Sequence, residues 1–174
     1  MHTNIELATD ADVSWLAGNE RHIPRATVET KVARGEILIA RIPGGIEGRS
    51  AGATAGGTTG ETGGETGDEL AGELAGELAG EIVGWLRWNH FWDEIPFMNM
   101  LHVAARLRGR SIGTSLVLAW ENRMRELGCA RVLTSTLSDE TAQHFYRKLG
   151  YVDSGALLLP GEALEIIFSK SLAR

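Results

Sequence analysis

The chain has 174 residues, a length typical of one domain. Apolar residues make up 43% of it and charged residues 23%, which is ordinary for a globular protein and excludes a fibrous or wholly disordered chain. Residues 43–80 carry a net charge of −6, and the whole chain is also −6. The remainder is therefore neutral and lacks the basic excess that binding to nucleic acid or an anionic membrane requires.

Cysteine content and hydropathy limit the compartment and the metal chemistry. The single cysteine, Cys129, cannot form an internal disulfide or a multi-thiolate metal site, so no bound metal is expected. The first ten residues lack the apolar core of a secretory signal, and no run approaches the ~18 apolar residues of a membrane span. These features favour a cytoplasmic protein that binds neither membranes nor nucleic acid.

Residues 60–84 are a tandem tetrapeptide repeat with glutamate at every fourth position. A tetrapeptide is too short to form a structural repeat unit. One glycine per turn costs a helix roughly 1 kcal/mol each, and the leucine stripe at 70, 74 and 78 is only one residue wide. We therefore predict a flexible, acidic loop insert over residues 43–80, whose last repeat begins a strand. A marginal helix over residues 68–80 is the alternative.

Outside this insert, apolar periodicity and turn residues predict alternating strands and helices. Strands are expected at residues 4–8, 36–42, 81–90, 97–103, 131–137, 156–159 and 164–169. Helices are expected after the Thr9-x-x-Asp12 capping box and at residues 27–33, 110–127 and 138–149. The order β-α-α-β-β-β-α-β-α-β-β indicates a mixed α/β sheet with helices packed on it.

The connection between the strand at 97–103 and the long helix is rich in glycine and arginine. The first N–H groups of a helix have no internal partner and point outward, so a helix start binds anions. Two glycines allow a phosphate to approach the backbone, and three arginines add positive charge: Gly109, Gly113, Arg106, Arg108 and Arg110. A pyrophosphate is the natural ligand. A glycine-rich turn with solvated arginines is the alternative that this stretch alone leaves open.

Two motifs resemble those of the GCN5-related N-acetyltransferase (GNAT) superfamily. Its acetyl-CoA signature is R/Q-x-x-G-x-G/A, opening a helix after an L-x-V strand. Here Leu101-His102-Val103 precedes Arg108-Gly109-Arg110-Ser111-Ile112-Gly113, with Ser111 in place of the usual glycine. The family's second motif, N-x-x-A-x-x-x-Y-x-x-x-G-F/Y, is similar to Asp139-x-x-Ala142-x-x-x-Tyr146-x-x-x-Gly150-Tyr151, with Asp139 replacing asparagine. The resemblance spans residues 5–170 apart from the insert.

The resemblance implies the fold, the co-substrate and its site. It implies the GNAT fold, an α/β architecture in which a mixed central sheet of six to seven strands is flanked by helices. Residues 1–174 would form a single N-acetyltransferase domain, with the insert between the second and third strands. Acetyl-CoA is the implied co-substrate, bound by Leu101, His102, Val103, Arg108, Gly109, Arg110, Ser111, Ile112, Gly113, Thr114, Asp139 and Ala142. The implied acceptor is a small-molecule or protein amine, and a homodimer stays open.

The resemblance also implies direct transfer, in which the acceptor amine attacks the thioester. A backbone N–H near Val103 would hold the thioester carbonyl, and Tyr146 would protonate the departing CoA thiolate. A base must deprotonate the amine, and the candidates are His90, His102, Asp93 and Glu94, none of which stands out. Aromatic rings and carboxylates suit a cationic amine, so the predicted acceptor residues are Trp88, Trp92, Asp93 and Glu94. Core packing is the alternative role of these aromatics.

Two competing interpretations remain. Residues 109–113 also satisfy G-x-S-x-G, the nucleophile elbow of serine hydrolases, with Ser111 as the nucleophile. That elbow directly follows a strand, whereas five residues separate Val103 from Gly109, and the only later histidine, His144, shares a predicted helix with Asp139. The third interpretation is an acyl-CoA-binding module without catalysis, which the sequence leaves open.

Overall fold

The structure is a computed structural model that describes residues 2–43 and 80–173. Its strands are β1 (Asn4–Leu7), β2 (Ile37–Arg41), β3 (Ile82–Phe91), β4 (Ile95–Val103), β5 (Arg131–Leu137), β6 (Val152–Leu157) and β7 (Glu165–Ser171). Its helices are α1 (Val13–Asn19), α2 (Arg25–Ala33), α3 (Ile112–Glu126) and α4 (Ala142–Lys148). One seven-stranded sheet runs in the order β1-β2-β3-β4-β5-β7-β6, and only β4 and β5 are parallel neighbours. The predicted mixed α/β fold is confirmed.

Both faces of the sheet are covered, and β3 alternates between them. Leu86 and Trp88 pack into a core that includes Trp120 of α3, whereas Trp85 packs with Val28 of α2 on the other face. Successive side chains of a strand point to opposite faces, so one strand supplies both cores. Each face of the sheet therefore has its own hydrophobic core.

Several boundaries differ from the sequence-based prediction; β6, for example, covers Val152–Leu157 rather than residues 156–159. Pro96, expected in a turn, lies within β4 opposite His90. A proline is tolerated there because its missing N–H is not needed at the edge of a ladder, and β5 pairs with β4 only from Phe97 onward. The last helix begins at Ala142 rather than at Ser138, because the Glu140 N–H donates to the Leu137 carbonyl and closes a turn first.

Most of the predicted insert lies outside the described residues, because the structure describes none of residues 44–79. The alternative helix over residues 68–80 falls there too, except for its last residue. The two ends of the segment are adjacent. The Gly80 N–H donates to the Ile42 carbonyl at 2.8 Å, and the Ile42 N–H donates to the Glu81 carbonyl at 3.0 Å. The segment thus connects neighbouring antiparallel strands, as a hairpin loop does.

Replacing residues 44–79 with a short Gly-Ser linker is expected to preserve folding. The strands that flank the segment are already paired, and loop-closure entropy depends only weakly on loop length. Thermal unfolding of the variant should match that of the full chain. A large fall in the melting temperature would instead make the segment part of the folded core.

Candidate functional site

The parallel strands β4 and β5 separate after two residue pairs. Phe97 pairs with Leu133 and Met98 pairs with Thr134, and the Thr134 hydroxyl also donates to the Met98 carbonyl at 3.1 Å. Beyond these two pairs, β4 continues to Val103 and β5 continues to Leu137, but the two strands no longer pair with each other. The sheet therefore opens into a wedge at the C-terminal ends of these two strands, where backbone groups can contact a ligand.

The free edge of β4 directs backbone N–H groups into this wedge. The Ala104 N–H donates to the Val83 carbonyl on the β3 side at 2.9 Å. Since alternate residues of a strand form hydrogen bonds on opposite edges, the N–H groups of Val103 and Leu101 face away from β3. The Arg108 Nε donates to the Val103 carbonyl from that same side at 3.2 Å. These two N–H groups are available to a bound carbonyl.

The start of α3 presents a run of unpaired N–H groups. Within the described residues, the N–H groups of residues 109–114 donate no hydrogen bond, and the helical ladder begins with the Ser115 N–H bonded to the Ser111 carbonyl at 2.9 Å. Gly109 and Ser111 adopt the left-handed conformation, with φ of 77° and 63°. The turn therefore bends the backbone so that successive N–H groups meet solvent rather than the helix.

A cleft of about 830 Å³ joins the wedge to this helix start. It is lined by Leu101, Val103, Leu107, Arg108, Gly109, Ser111, Ile112, Gly113, Thr114, Glu140, Thr141, Ala142, Phe145 and Tyr146. The cleft contains most of the residues expected to bind acetyl-CoA. Sequence reasoning missed Leu107, Glu140, Thr141 and Phe145. Glu140 and Thr141 were missed because the helix was predicted to begin at Ser138, which placed both residues inside it. Phe145 was missed because the apolar pattern assigned it to the core.

Three of the residues expected at acetyl-CoA lie outside the cleft. His102 points to the opposite face of the sheet, where its ring stacks on Trp85 with centroids 4.2 Å apart. Arg110 and Asp139 are exposed and do not line the cleft. His102 differs from Leu101 and Val103 because strand alternation reverses the direction of every second side chain.

Tyr146 lies between the cleft and the other face of the sheet. Only 6% of the residue is exposed, and its ring packs against Tyr151 and Phe168 with centroids 5.8 and 5.9 Å away. Burial raises the pKa of the Tyr146 phenol, and the Thr134 hydroxyl beside it offsets part of this effect. The phenol is therefore protonated at neutral pH and can donate a proton.

Two further cavities lie on the side of the sheet that faces α1. The wedge cavity, about 520 Å³, is lined by His22, Arg87, Met98, Asn99, Met100, Leu101, Thr134, Ser135, Thr136, Leu137, Glu140, Ala142, Tyr146 and Glu165. The α1 pocket, about 340 Å³, is lined by Gly18, Asn19, Glu20, Arg21, His22, Trp85, Met100 and His102. Tyr146 and Leu101 line both the wedge cavity and the cleft, so these two cavities meet at the wedge.

The residues expected at the acceptor side lie elsewhere. Trp88 is buried in the α3 core. Trp92, Asp93 and Glu94 form the β3–β4 turn, and at ~3.3 Å per strand residue Glu94 is about 23 Å along β4 from Leu101. None of these four residues lines a described cavity. Trp92, Asp93 and Glu94 are close to the aromatic strand in sequence, but the turn places them at the end of the sheet opposite the wedge.

The structure also bears on two absences. No helix among residues 2–43 and 80–173 is both long and apolar enough to cross a bilayer. Across the same ranges, no group of three or more His, Cys, Asp or Glu side chains is arranged to hold a metal ion.

Comparison with known proteins agrees with this geometry. The model of the acetyltransferase (GNAT) family matches residues 61–151. The chain belongs to this family. GNAT proteins transfer the acetyl group of acetyl-CoA to an amine, so the protein is an N-acetyltransferase that uses acetyl-CoA. No curated protein matches the sequence.

Solved structures share the fold of this GNAT chain. They include Ard1 from Thermoplasma volcanium (TM-score 0.69, 13% identity, 100% of both chains covered). An acetyltransferase of the GNAT family from Bacillus cereus ATCC 10987 has a TM-score of 0.63 at 18% identity, also over 100% of both chains. A chain of the NatC complex bound to Gag peptide and CoA has a TM-score of 0.66 at 12% identity, over 99% of this chain and 100% of that one. At these identities the likeness establishes the fold alone.

The Ser111→Gly substitution is expected to raise the free energy of unfolding by about 0.5–1 kcal/mol. A side chain at φ 63° costs about 1–2 kcal/mol, and the greater freedom of glycine in the unfolded chain offsets part of that gain. Urea denaturation measures the change. The control is Ser115→Gly within α3, which should lose about 0.5 kcal/mol because glycine disfavours a helix interior. An equal loss at both positions would contradict the prediction.

Proposed function

We propose that the protein acetylates a primary amine by direct attack on acetyl-CoA, within a single domain formed by residues 1–174. The observation that carries the proposal is the run of unpaired N–H groups at residues 109–114 beside the wedge. This run supplies anion-binding donors, and the wedge supplies a place where a thioester and an amine can meet. The G-x-S-x-G alternative lacks support, since no histidine lines the cleft that contains Ser111.

The chemistry of the cleft suits each part of acetyl-CoA. Unpaired N–H groups, the positive end of the α3 dipole and the Arg108 guanidinium favour a diphosphate at residues 109–114. Side chains of Leu101, Val103 and Phe145 give the cleft an apolar wall for the pantetheine arm. Gly113 faces the same side chains. A Cβ on Gly113 would lie 3.6 Å from Phe145 Cζ, which is an ordinary van der Waals contact. We assign His102, Arg110 and Asp139 no contact with acetyl-CoA.

The free edge of β4 supplies the donors that the reaction needs. Acetyl-CoA contributes the thioester, and the N–H groups of Val103 and Leu101 are directed to where its carbonyl oxygen would develop negative charge. Donors held in place by a strand stabilise such charge without reorganising, and one such donor is worth about 3 kcal/mol. These N–H groups are backbone atoms, so side-chain substitutions do not remove them.

Tyr146 is the proposed general acid for the CoA thiolate. Its phenol stays protonated at neutral pH because burial raises its pKa. Tyr146 lines both the cleft and the wedge cavity, so it lies beside the place where donor and acceptor would meet. Protonation by a positioned acid typically contributes about 10²–10⁴-fold to a rate.

The Tyr146→Phe variant is expected to lower kcat by about 10²-fold while the affinity for acetyl-CoA stays unchanged. Thiol release from acetyl-CoA, measured with a panel of amines, gives the rate, and calorimetry gives the affinity. The matched control is Tyr151→Phe, which removes a buried phenol from the same aromatic cluster but from neither cavity. Unchanged turnover in Tyr146→Phe would show that Tyr146 is not the general acid. If the wild type shows no thiol release and no binding of acetyl-CoA, the proposed function is refuted.

His102 is the proposed general base. Its imidazole lines the α1 pocket, which shares His22 and Met100 with the wedge cavity. Burial and the nearby Arg108 charge lower the pKa of His102, and Glu20 offsets part of this effect. The imidazole is thus neutral at pH 7 and can accept a proton from the amine, directly or through water. The other candidates, His90, Asp93 and Glu94, lie at or next to the distant β3–β4 turn.

The pH profile of kcat is expected to fall on its acid side with a midpoint below 6.5, the ordinary pKa of histidine. Protonation of His102 removes the base, and a lowered pKa delays that loss to lower pH. The His102→Gln variant should lower kcat by about 10²-fold at pH 8 and abolish this limb. His144→Gln on the exposed side of α4 is the control. A wild-type profile retained by His102→Gln would exclude the assignment.

A further inference from the structure

A buried arginine lines the wedge cavity, and two of its three guanidinium nitrogens are unused by the described part of the chain. The Arg87 side chain on β3 is only 9% exposed, and its Nε donates to Glu20 Oε2 at 3.3 Å. Among the described residues, its two terminal nitrogens have no hydrogen-bond or ion-pair partner, and Arg87 lines the wedge cavity. These nitrogens are not among the fully enclosed polar atoms that lack a partner, so they remain open to the cavity and to a ligand within it.

Glu20 holds the guanidinium but does not satisfy it. The Glu20 side chain is 3% exposed, and its Oε1 already accepts the His22 N–H at 2.9 Å while Oε2 accepts the Arg87 Nε. The carboxylate is therefore occupied on both oxygens. It fixes the guanidinium at one edge, which leaves the terminal nitrogens directed to the cavity as a planar pair of donors.

The same cavity also carries negative charge nearer to the wedge. Glu140 and Glu165 line it, and neither forms an ion pair with a described cation. Glu140 lines the acetyl-CoA cleft as well, whereas Arg87 does not. The cavity is thus polarised, with the Glu140 carboxylate at the end shared with the cleft and the Arg87 guanidinium away from it. A molecule with a cationic amine at one end and an anion at the other matches this polarity.

We propose that the acceptor is an amine that bears a carboxylate, such as a free amino acid, and that Arg87 binds this carboxylate. The inference rests on the proposed function, because it names the acceptor of that same reaction. The cavity volume of about 520 Å³ falls in the range of small-molecule sites. Arg87 is a specificity-determining residue in this arrangement, since it contacts the acceptor away from the reacting atoms.

The transfer balances without any further reagent. The acceptor nitrogen forms a bond to the acetyl carbon, the carbon–sulfur bond breaks, and its electron pair leaves with sulfur. One ammonium proton passes to His102 before attack and from there to solvent. Tyr146 protonates the thiolate, and the second proton of the nitrogen restores the Tyr146 phenol, so one proton is released in total. The carboxylate on Arg87 undergoes no change, so the products are the N-acetyl carboxylic acid and CoA.

Two other acceptor classes predict different results. A polyamine would bring a second cation against Arg87, which is unfavourable in a buried site. A protein N-terminus would present a neutral carbonyl in place of the carboxylate. It would pair with Arg87 more weakly than an anion does, because a carboxylate offers the guanidinium an opposite charge and two oxygens in a bidentate geometry, whereas a carbonyl offers one neutral oxygen.

The test compares each of the twenty amino acids with its C-terminal amide as an acceptor, using thiol release and mass spectrometry. We expect at least one amino acid to exceed its amide in kcat/KM by about 10²-fold or more. A linear polyamine and short peptides complete the panel. If an amide, a peptide or the polyamine is acetylated as well as any amino acid, the inference is overturned while the proposed function stands. If no amine supports thiol release, both fail.

A pair of variants then assigns the discrimination to Arg87. Arg87→Gln alone leaves the Glu20 charge buried without a partner, so the variant to use is Glu20→Gln/Arg87→Gln, which removes both charges. Its ratio of kcat/KM between acid and amide should fall to near one, mainly through a raised KM for the acid. Arg25→Gln on the exposed face of α2 is the control and should keep the wild-type ratio. An unchanged ratio in the folded double variant would overturn the inference. The wild-type comparison decides alone if that variant does not fold.

Discussion

The functional site depends on one constraint in the sheet, namely that parallel pairing between β4 and β5 stops after Met98 and Thr134. A continuous ladder would occupy the N–H groups of Leu101 and Val103 and would leave no wedge for a thioester. The Thr134 hydroxyl bonds to the Met98 carbonyl at the last paired position, which fixes where the strands part. Helix α3 begins on one side of this opening and α4 on the other, so the cleft is a direct consequence of the interrupted pairing.

Strand alternation then divides the chemistry between two faces. Leu101 and Val103 point toward α3 and the acetyl-CoA cleft, whereas Met100 and His102 point toward α1 and the proposed acceptor side. Donor and acceptor would thus approach from opposite faces and meet only at the wedge beside Tyr146. In the proposed arrangement, the helix start would bind the diphosphate, and the charges on the α1 side would bind the acceptor.

Much of the lining of the cleft proposed to bind acetyl-CoA could be predicted, because its main residues are contiguous in sequence. Residues 108–113 form one turn whose donors belong to the backbone, so the motif alone locates them. The residues of the proposed acceptor side could not be predicted, because they are far apart in sequence. Glu20 and Arg87 are 67 positions apart and meet only through the packing of α1 on β3. Asp93 and Glu94 were predicted to contact the acceptor because they are close to Trp88 in sequence, but a tight turn places them away from the wedge.

The sequence by itself determined the order of the elements, the helix start with its unpaired amides, and the tyrosine that faces it, because each follows from local periodicity, turn residues or a short motif. Only the tertiary structure decided which face each strand residue occupies, where β4 and β5 part, and which charges share a cavity. Those properties depend on strand register and on contacts between distant segments, and a shift of one residue in register exchanges the two faces. His102 illustrates the limit, since it lies within the motif but on the other side of the sheet.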